Sequence, residues 1–123
     1  MNLTGFTDQQ KQSLVDLLVL GMYADGKLDL IEDAITRQAL DAIQFSSDSA
    51  RQYFLDASFT RARKHSAAAD TTRSYVLEIA KSFQTPVMRR QVYAALEELL
   101  TSDQHLADKE KELLAIVFGE FKL

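Results

Sequence analysis

Apolar residues recur at helical spacing along almost the whole chain, and no alternating apolar/polar run marks a strand. Thr7 and Gln10 form a capping-box pattern that opens a first helix running to about Ala24. Within it Val15, Leu17, Leu18, Val19, Leu20 and Met22 are apolar nearly all round, the mark of a helix at the centre of a core. Asp25-Gly26 then breaks the pattern, with Gly26 suited to a helix C-terminus. Asp29 with Glu32 gives a second N-terminal signal, followed by the one-sided stripe Ile31, Ala34, Ile35, Ala39, Ala42 and Ile43. Ser46-Ser47-Asp48 interrupts that stripe. A third helix is expected to place Ala50, Tyr53, Phe54 and Ala57 on its inner face and to end in the basic run Arg61, Arg63, Lys64, His65. After a connector over 66–70, in which Ala67-Ala68-Ala69 could itself be helical, a fourth helix carries Val76, Ile79, Ala80 and Phe83. Thr85-Pro86 marks a sharp helix start. A fifth helix follows with Val92, Ala95, Leu96, Leu99 and Leu100, ending at Thr101-Ser102-Asp103. The last runs from about Asp108 to Phe121, with Leu113, Ile116, Val117 and Phe121 inward. The four tyrosines, Tyr23, Tyr53, Tyr75 and Tyr93, fall mostly among apolar helical positions and are expected in the core or at its edge.

The expectation is an all-α fold, a single-domain helical bundle of about six to seven helices spanning residues 1–123. That length buries one hydrophobic core without covalent staples. Cysteine is absent, which excludes disulfides and thiolate metal sites. Met1 to Phe6 has neither the basic region nor the cleavage pattern of a secretory signal. The longest apolar run, Leu17 to Ala24, falls far short of the ~20 residues of a membrane span. A cytoplasmic protein without direct membrane insertion is expected.

The net charge of -4 is unevenly distributed. Residues 1–50 carry three cations against eight anions, residues 51–91 eight against three, and residues 92–123 three against seven. Overall acidity argues against nucleic-acid binding, which needs a dominant positive field. The basic middle reads either as a surface that is solvated or faces the acidic ends within the fold, or as a docking face for an acidic partner.

Asp25 to Glu32 and Asp103 to Glu110 share the frame D-x-x-L-x-x-x-E at an offset of 78 residues. The flanks agree too. Leu14, Leu18 and Met22 align with Val92, Leu96 and Leu100, and Ile35, Leu40 and Ile43 with Leu113, Phe118 and Phe121. Agreement of apolar positions on both sides points to duplication, with pseudo-symmetric helix–loop–helix halves over about 7–44 and 86–122.

Ala24-Asp25-Gly26-Lys27-Leu28-Asp29 followed by Glu32, with the second Asp103…Glu110 copy, resembles the TerB-like family of tellurite-resistance and stress-response domains. The resemblance covers nearly the whole chain. It implies an all-helical fold with a duplicated core and a non-enzymatic role in bacterial stress or metal-oxyanion responses. Related domains occur fused to membrane-associated or chaperone modules, so the resemblance also implies a protein partner, which a membrane-associated protein could supply, and binding of Ca2+ or Mg2+ by Asp25, Asp29, Glu32, Asp103 and Glu110. The second copy departs from the first, with Ala107 standing where the first has Asp29 and Gln104 where it has Gly26.

Read as residues alone, the two loops are not EF-hands. With Asp25 at position 1, position 3 is Lys27 and position 12 is Thr36, whereas that loop needs an oxygen ligand at position 3 and a bidentate glutamate at position 12. The carboxylates have two readings: a cation site of another kind, or helix caps, since Asp29 and Glu32 have capping-box spacing. His105 reads as a lone zinc ligand or as an exposed loop residue, and one histidine is weak evidence for zinc. No nucleophile–histidine–acid pattern and no phosphate-binding glycine loop is evident, so an enzyme is not expected. The alternative function is an ion-independent protein-interaction adaptor that uses the basic segment Arg51 to Arg90.

Overall fold

The first helix holds the centre of the bundle because its stretch from Leu14 to Met22 is apolar nearly all round. The computed structural model describes residues 2–25, 34–101 and 106–123, the side chain of Asp25 excepted. It contains α1 (Asp8–Asp25), α2 (Ala34–Ala42), α3 (Asp48–His65), α4 (Ala69–Ala80), α5 (Pro86–Thr101) and α6 (Asp108–Glu120), with no strand among the described residues. α1 packs against all five other helices. Leu14, Val15, Leu17, Leu18, Val19, Leu20 and Met22 are accordingly all buried. One continuous core runs through the six helices. No helix among the described residues is long and apolar enough to cross a membrane.

Local chemistry sets the helix starts. The Thr7 amide donates to Gln10 Oε1 at 2.9 Å, and the Gln10 amide donates to Thr7 Oγ1 at 3.1 Å, a complete capping box. Ser47 Oγ accepts from the Ala50 amide at 3.1 Å to open α3. Thr85 Oγ1 accepts from the Met88 amide at 3.2 Å to open α5, with Pro86 as its first residue. Ahead of α1 the Phe6 amide bonds back to the Leu3 carbonyl at 3.0 Å. Gly5 takes φ +93° in this turn, which only glycine adopts cheaply.

Gly21 answers a different demand. A Cβ there would lie 2.7 Å from Leu96 Cδ1 of α5 and 3.3 Å from Leu99 Cδ2. The missing side chain lets α1 and α5 approach closely. An aromatic series, Phe6–Phe83 at 6.0 Å and Phe83–Phe121 at 6.3 Å between ring centres, closes one end of the core.

Three expectations about faces need correction. α3 does not turn Tyr53 inward: Tyr53 is 78% exposed, and the buried residues are Leu55, Ser58 and Ala62. The seam follows those three because α3 packs on α1 beside Asp16, described below. Tyr53 is therefore not a core or core-edge tyrosine, whereas Tyr75 is buried and Tyr23 and Tyr93 are half-buried. The aligned pair Leu40 and Phe118 also differ, Leu40 being buried and Phe118 50% exposed. In α6 the inward position is taken by Val117. The other aligned pairs before the loops, Leu14/Val92, Leu18/Leu96 and Met22/Leu100, are buried on both sides.

Candidate functional site

Of the five carboxylates singled out by the repeat, Asp29, Glu32 and Asp103 lie outside the described residues, as does His105. Asp25 is the last residue of α1. Glu110 is placed fully: it lies on the first turn of α6, 2% exposed, and its Oε1 accepts the Ala107 amide at 3.0 Å. This is the back-reaching half of a capping box. Ala107 has no side-chain oxygen to return the second half, so the carboxylate alone performs the cap.

The flanks of the two acidic segments meet at one cavity of about 250 Å3. Tyr23 and Ala24, at the end of α1, form one side, and Lys109, Glu112 and Leu113, at the start of α6, form another. The corner between α3 and α4, residues 66–69, closes the third side with Thr72. Spacing in the sequence left open whether the ends of the two segments are close. The cavity brings the point where the first leaves α1 beside the point where the second enters α6. Its lining mixes apolar wall with a lysine and a glutamate.

A second cluster had no signal in the repeat. Asp16 of α1 accepts from Ser58 Oγ at 2.6 Å and from Arg61 Nη2 at 2.8 Å, both on α3. Ser58 is fully buried. Burial draws the Arg61 guanidinium down, but the hydrogen bond and charge of Asp16, with Tyr75 beside them, carry it above its usual range. The Tyr75 phenol is pushed up to about 12, first by burial and then by the Asp16 charge, with nearby Arg61 opposing. The Tyr75 hydroxyl is buried without a hydrogen bond to any described residue, and its ring stacks on His65 at 4.5 Å. An aspartate inside an otherwise apolar helix was the available clue, since a buried carboxylate needs a partner. The identity of that partner, 45 residues on, was not legible.

The same cluster bears on the basic middle. Arg51 pairs with Asp41 at 3.1 Å, Arg61 with Asp16, Arg73 with Asp70 at 3.3 Å, and Lys81 with Glu78 at 2.9 Å. Arg63 donates to the Tyr23 hydroxyl at 3.4 Å. Arg89 is consumed by main chain: it donates to the carbonyls of Phe83 at 2.7 Å, Phe121 at 3.2 Å and Ala80 at 3.3 Å. Much of the positive segment thus answers acids and helix ends within the fold. Among the described residues no group of three or more histidines or carboxylates is placed to hold a metal ion. Compared with known protein families, with characterised proteins and with solved structures, the chain matches none.

Proposed function

We propose that this chain is a non-catalytic binding domain of the TerB-like kind, cytoplasmic and partnered by another protein. In it the two acidic segments, descended from a duplicated hairpin, serve one site at the end of the bundle where α1 stops and α6 begins. The observation that supports this reading is the shared cavity: Ala24, next to Asp25, and Lys109, next to Asp108, both line it. Asp25, Asp29, Glu32 and Asp103 supply the oxygen ligands for Ca2+ or Mg2+, hard cations that take carboxylates together with carbonyls and water. Glu110, with Oε1 engaged in the cap of α6, holds the helix start in place beside the site.

The test is a titration with calcium and with magnesium, followed by amide NMR. Shifts at millimolar ion should cluster at Asp25, Asp29 and Glu32 and extend to Ala24, Lys109 and Leu113 on the cavity wall. Asp25→Asn should abolish them. An unchanged spectrum with both ions removes the cation from the proposal. Shifts at the first segment alone, without Lys109 or Leu113, remove the shared site.

A further inference from the structure

At the opposite end of α6 lies a cleft of about 530 Å3 between the start of α5 and the end of α6. Arg89, Arg90 and Lys122 line it, together with Tyr93 and Phe118, and no acidic residue does. In a chain of net charge -4 this is a local reversal of sign. Arg89 forms its floor, held by the three carbonyls already described. Arg90 and Lys122 are exposed and make no ion pair with any described residue. Phe118 stands edge-on to Tyr93, ring centres 5.8 Å apart and planes at 70°, with half its surface open to solvent.

The end of α6 adds an independent argument. The Leu123 amide donates to the Phe118 carbonyl at 3.1 Å, and the Lys122 amide to the Gly119 carbonyl at 3.1 Å. This is a Schellman closure, whose central residue is left-handed and commonly glycine. Here that position is Lys122, with φ +56°. A side chain at a left-handed position is strained relative to glycine. The left-handed Lys122 thus lies at the rim of the cleft, a conformation of the kind that clusters at binding sites.

We propose that this cleft docks an acidic peptide segment of a partner protein, with a large apolar or aromatic side chain seated against Phe118 and Tyr93 and flanking carboxylates on Arg90 and Lys122. Charge complementarity selects the acidic partner. With Phe118 half exposed, the aromatic platform suits a peptide side chain, because small-molecule pockets bury most of their ligand. Tyrosine and arginine together are typical anchors of protein interfaces. A nucleic acid would have to bind against the overall negative field. The proposal is independent of the acidic segments and narrows the basic middle to its last residue, Arg90, joined by residues from the C-terminal end.

The probe is a synthetic pentapeptide with one tryptophan flanked on each side by two glutamates, titrated into the full chain and followed by amide NMR and tryptophan anisotropy. Shifts should fall on Arg90, Tyr93, Phe118 and Lys122, and affinity should weaken as salt is raised. Phe118→Ala and Arg90→Glu should each weaken binding about tenfold. Lys122→Gly separates binding from folding: it should raise the melting temperature while weakening the peptide several-fold. An unchanged spectrum at millimolar peptide, or shifts confined to another face, overturns the proposal. So does equal binding of a peptide with lysines in place of glutamates, or tighter binding of single-stranded DNA at the same residues. Equal binding of an all-glutamate peptide overturns the aromatic anchor.

Discussion

Arg61 of α3 donates to the Asp16 carboxylate of α1 across 2.8 Å, and the same carboxylate holds the fully buried Ser58 hydroxyl at 2.6 Å. One acid thus satisfies two groups of the neighbouring helix. Asp16→Ala should destabilise the fold by about 2 kcal/mol, because it strips an acceptor from a buried hydroxyl as well as from a cation. Arg61→Ala should cost less, about 1 kcal/mol, since the Arg61 side chain is 39% exposed and water compensates for the pair. Urea unfolding with unchanged slope would measure both. Equal losses would show that Ser58 contributes nothing. Charge reversal at Arg61 belongs with these stability variants, not with tests of a docking face.

Tyr75 gives the fold an alkaline limit. Its pKa is raised to about 12 from the ordinary 10.0, so the folded state keeps a proton that the unfolded chain releases first. The contribution is fully present below about pH 10 and is lost as pH rises through about 12. It amounts to about 3 kcal/mol over that window. Thermal melts across the range should show this loss in the native chain and a smaller one in Tyr75→Phe. At neutral pH that variant should lose little stability, because the buried hydroxyl it removes has only the partly exposed Arg61 beside it as a donor among the described residues. An identical alkaline slope in both chains would refute the assignment.

Gly21→Ala sets two effects against each other. Helix propensity favours alanine by about 1 kcal/mol. The new methyl meets Leu96 Cδ1 at 2.7 Å, and Leu96 is fully buried with little room to turn. Overpacking of this kind costs about 1–3 kcal/mol, so the net change should be a loss. A rise in melting temperature would mean that Leu96 repacks freely.

Glu110 separates cap from ligand. Glu110→Gln retains an acceptor for the Ala107 amide and should leave stability nearly unchanged, whereas Glu110→Ala should cost about 1 kcal/mol. If Gln is as damaging as Ala, the charge of Glu110 matters beyond the cap. Calcium titration of the Gln variant would then show whether a cation is the reason.

Arg89 joins the ends of α4 and α6 to the segment between α4 and α5 through three carbonyls. Arg89→Lys keeps the charge but not the planar fork that reaches all three. A loss of about 2 kcal/mol is expected by chemical denaturation. A lysine variant of native stability would reduce Arg89 to a point charge near two helix ends.

Local rules reached much of this architecture. The helix starts at Thr7 and Thr85, the central place of α1 and the all-helical class follow from groups within three or four residues of one another, and the observed bonds are those the spacing implied. The capping reading of the acidic frame is met at Glu110, where the acceptor is again three residues from its donor. Asp29, Glu32 and Asp103 lie outside the described residues, so the site itself was legible only as a pair of motifs.

The sequence by itself determined where α1 and α5 begin, which helix carries a stretch apolar nearly all round, and that two acidic frames recur 78 residues apart. Those properties depend on the backbone and its nearest side chains. Only the tertiary structure decided which face of α3 turns inward, so that Tyr53 faces water and Ser58 meets Asp16. It also decided that Phe118 lies open beside Tyr93, that Arg61 answers an acid 45 residues away, and that the flanks of the two acidic segments border one cavity. The reason is that a helical face is chosen by what it packs against, and that partner is set by the whole chain at once.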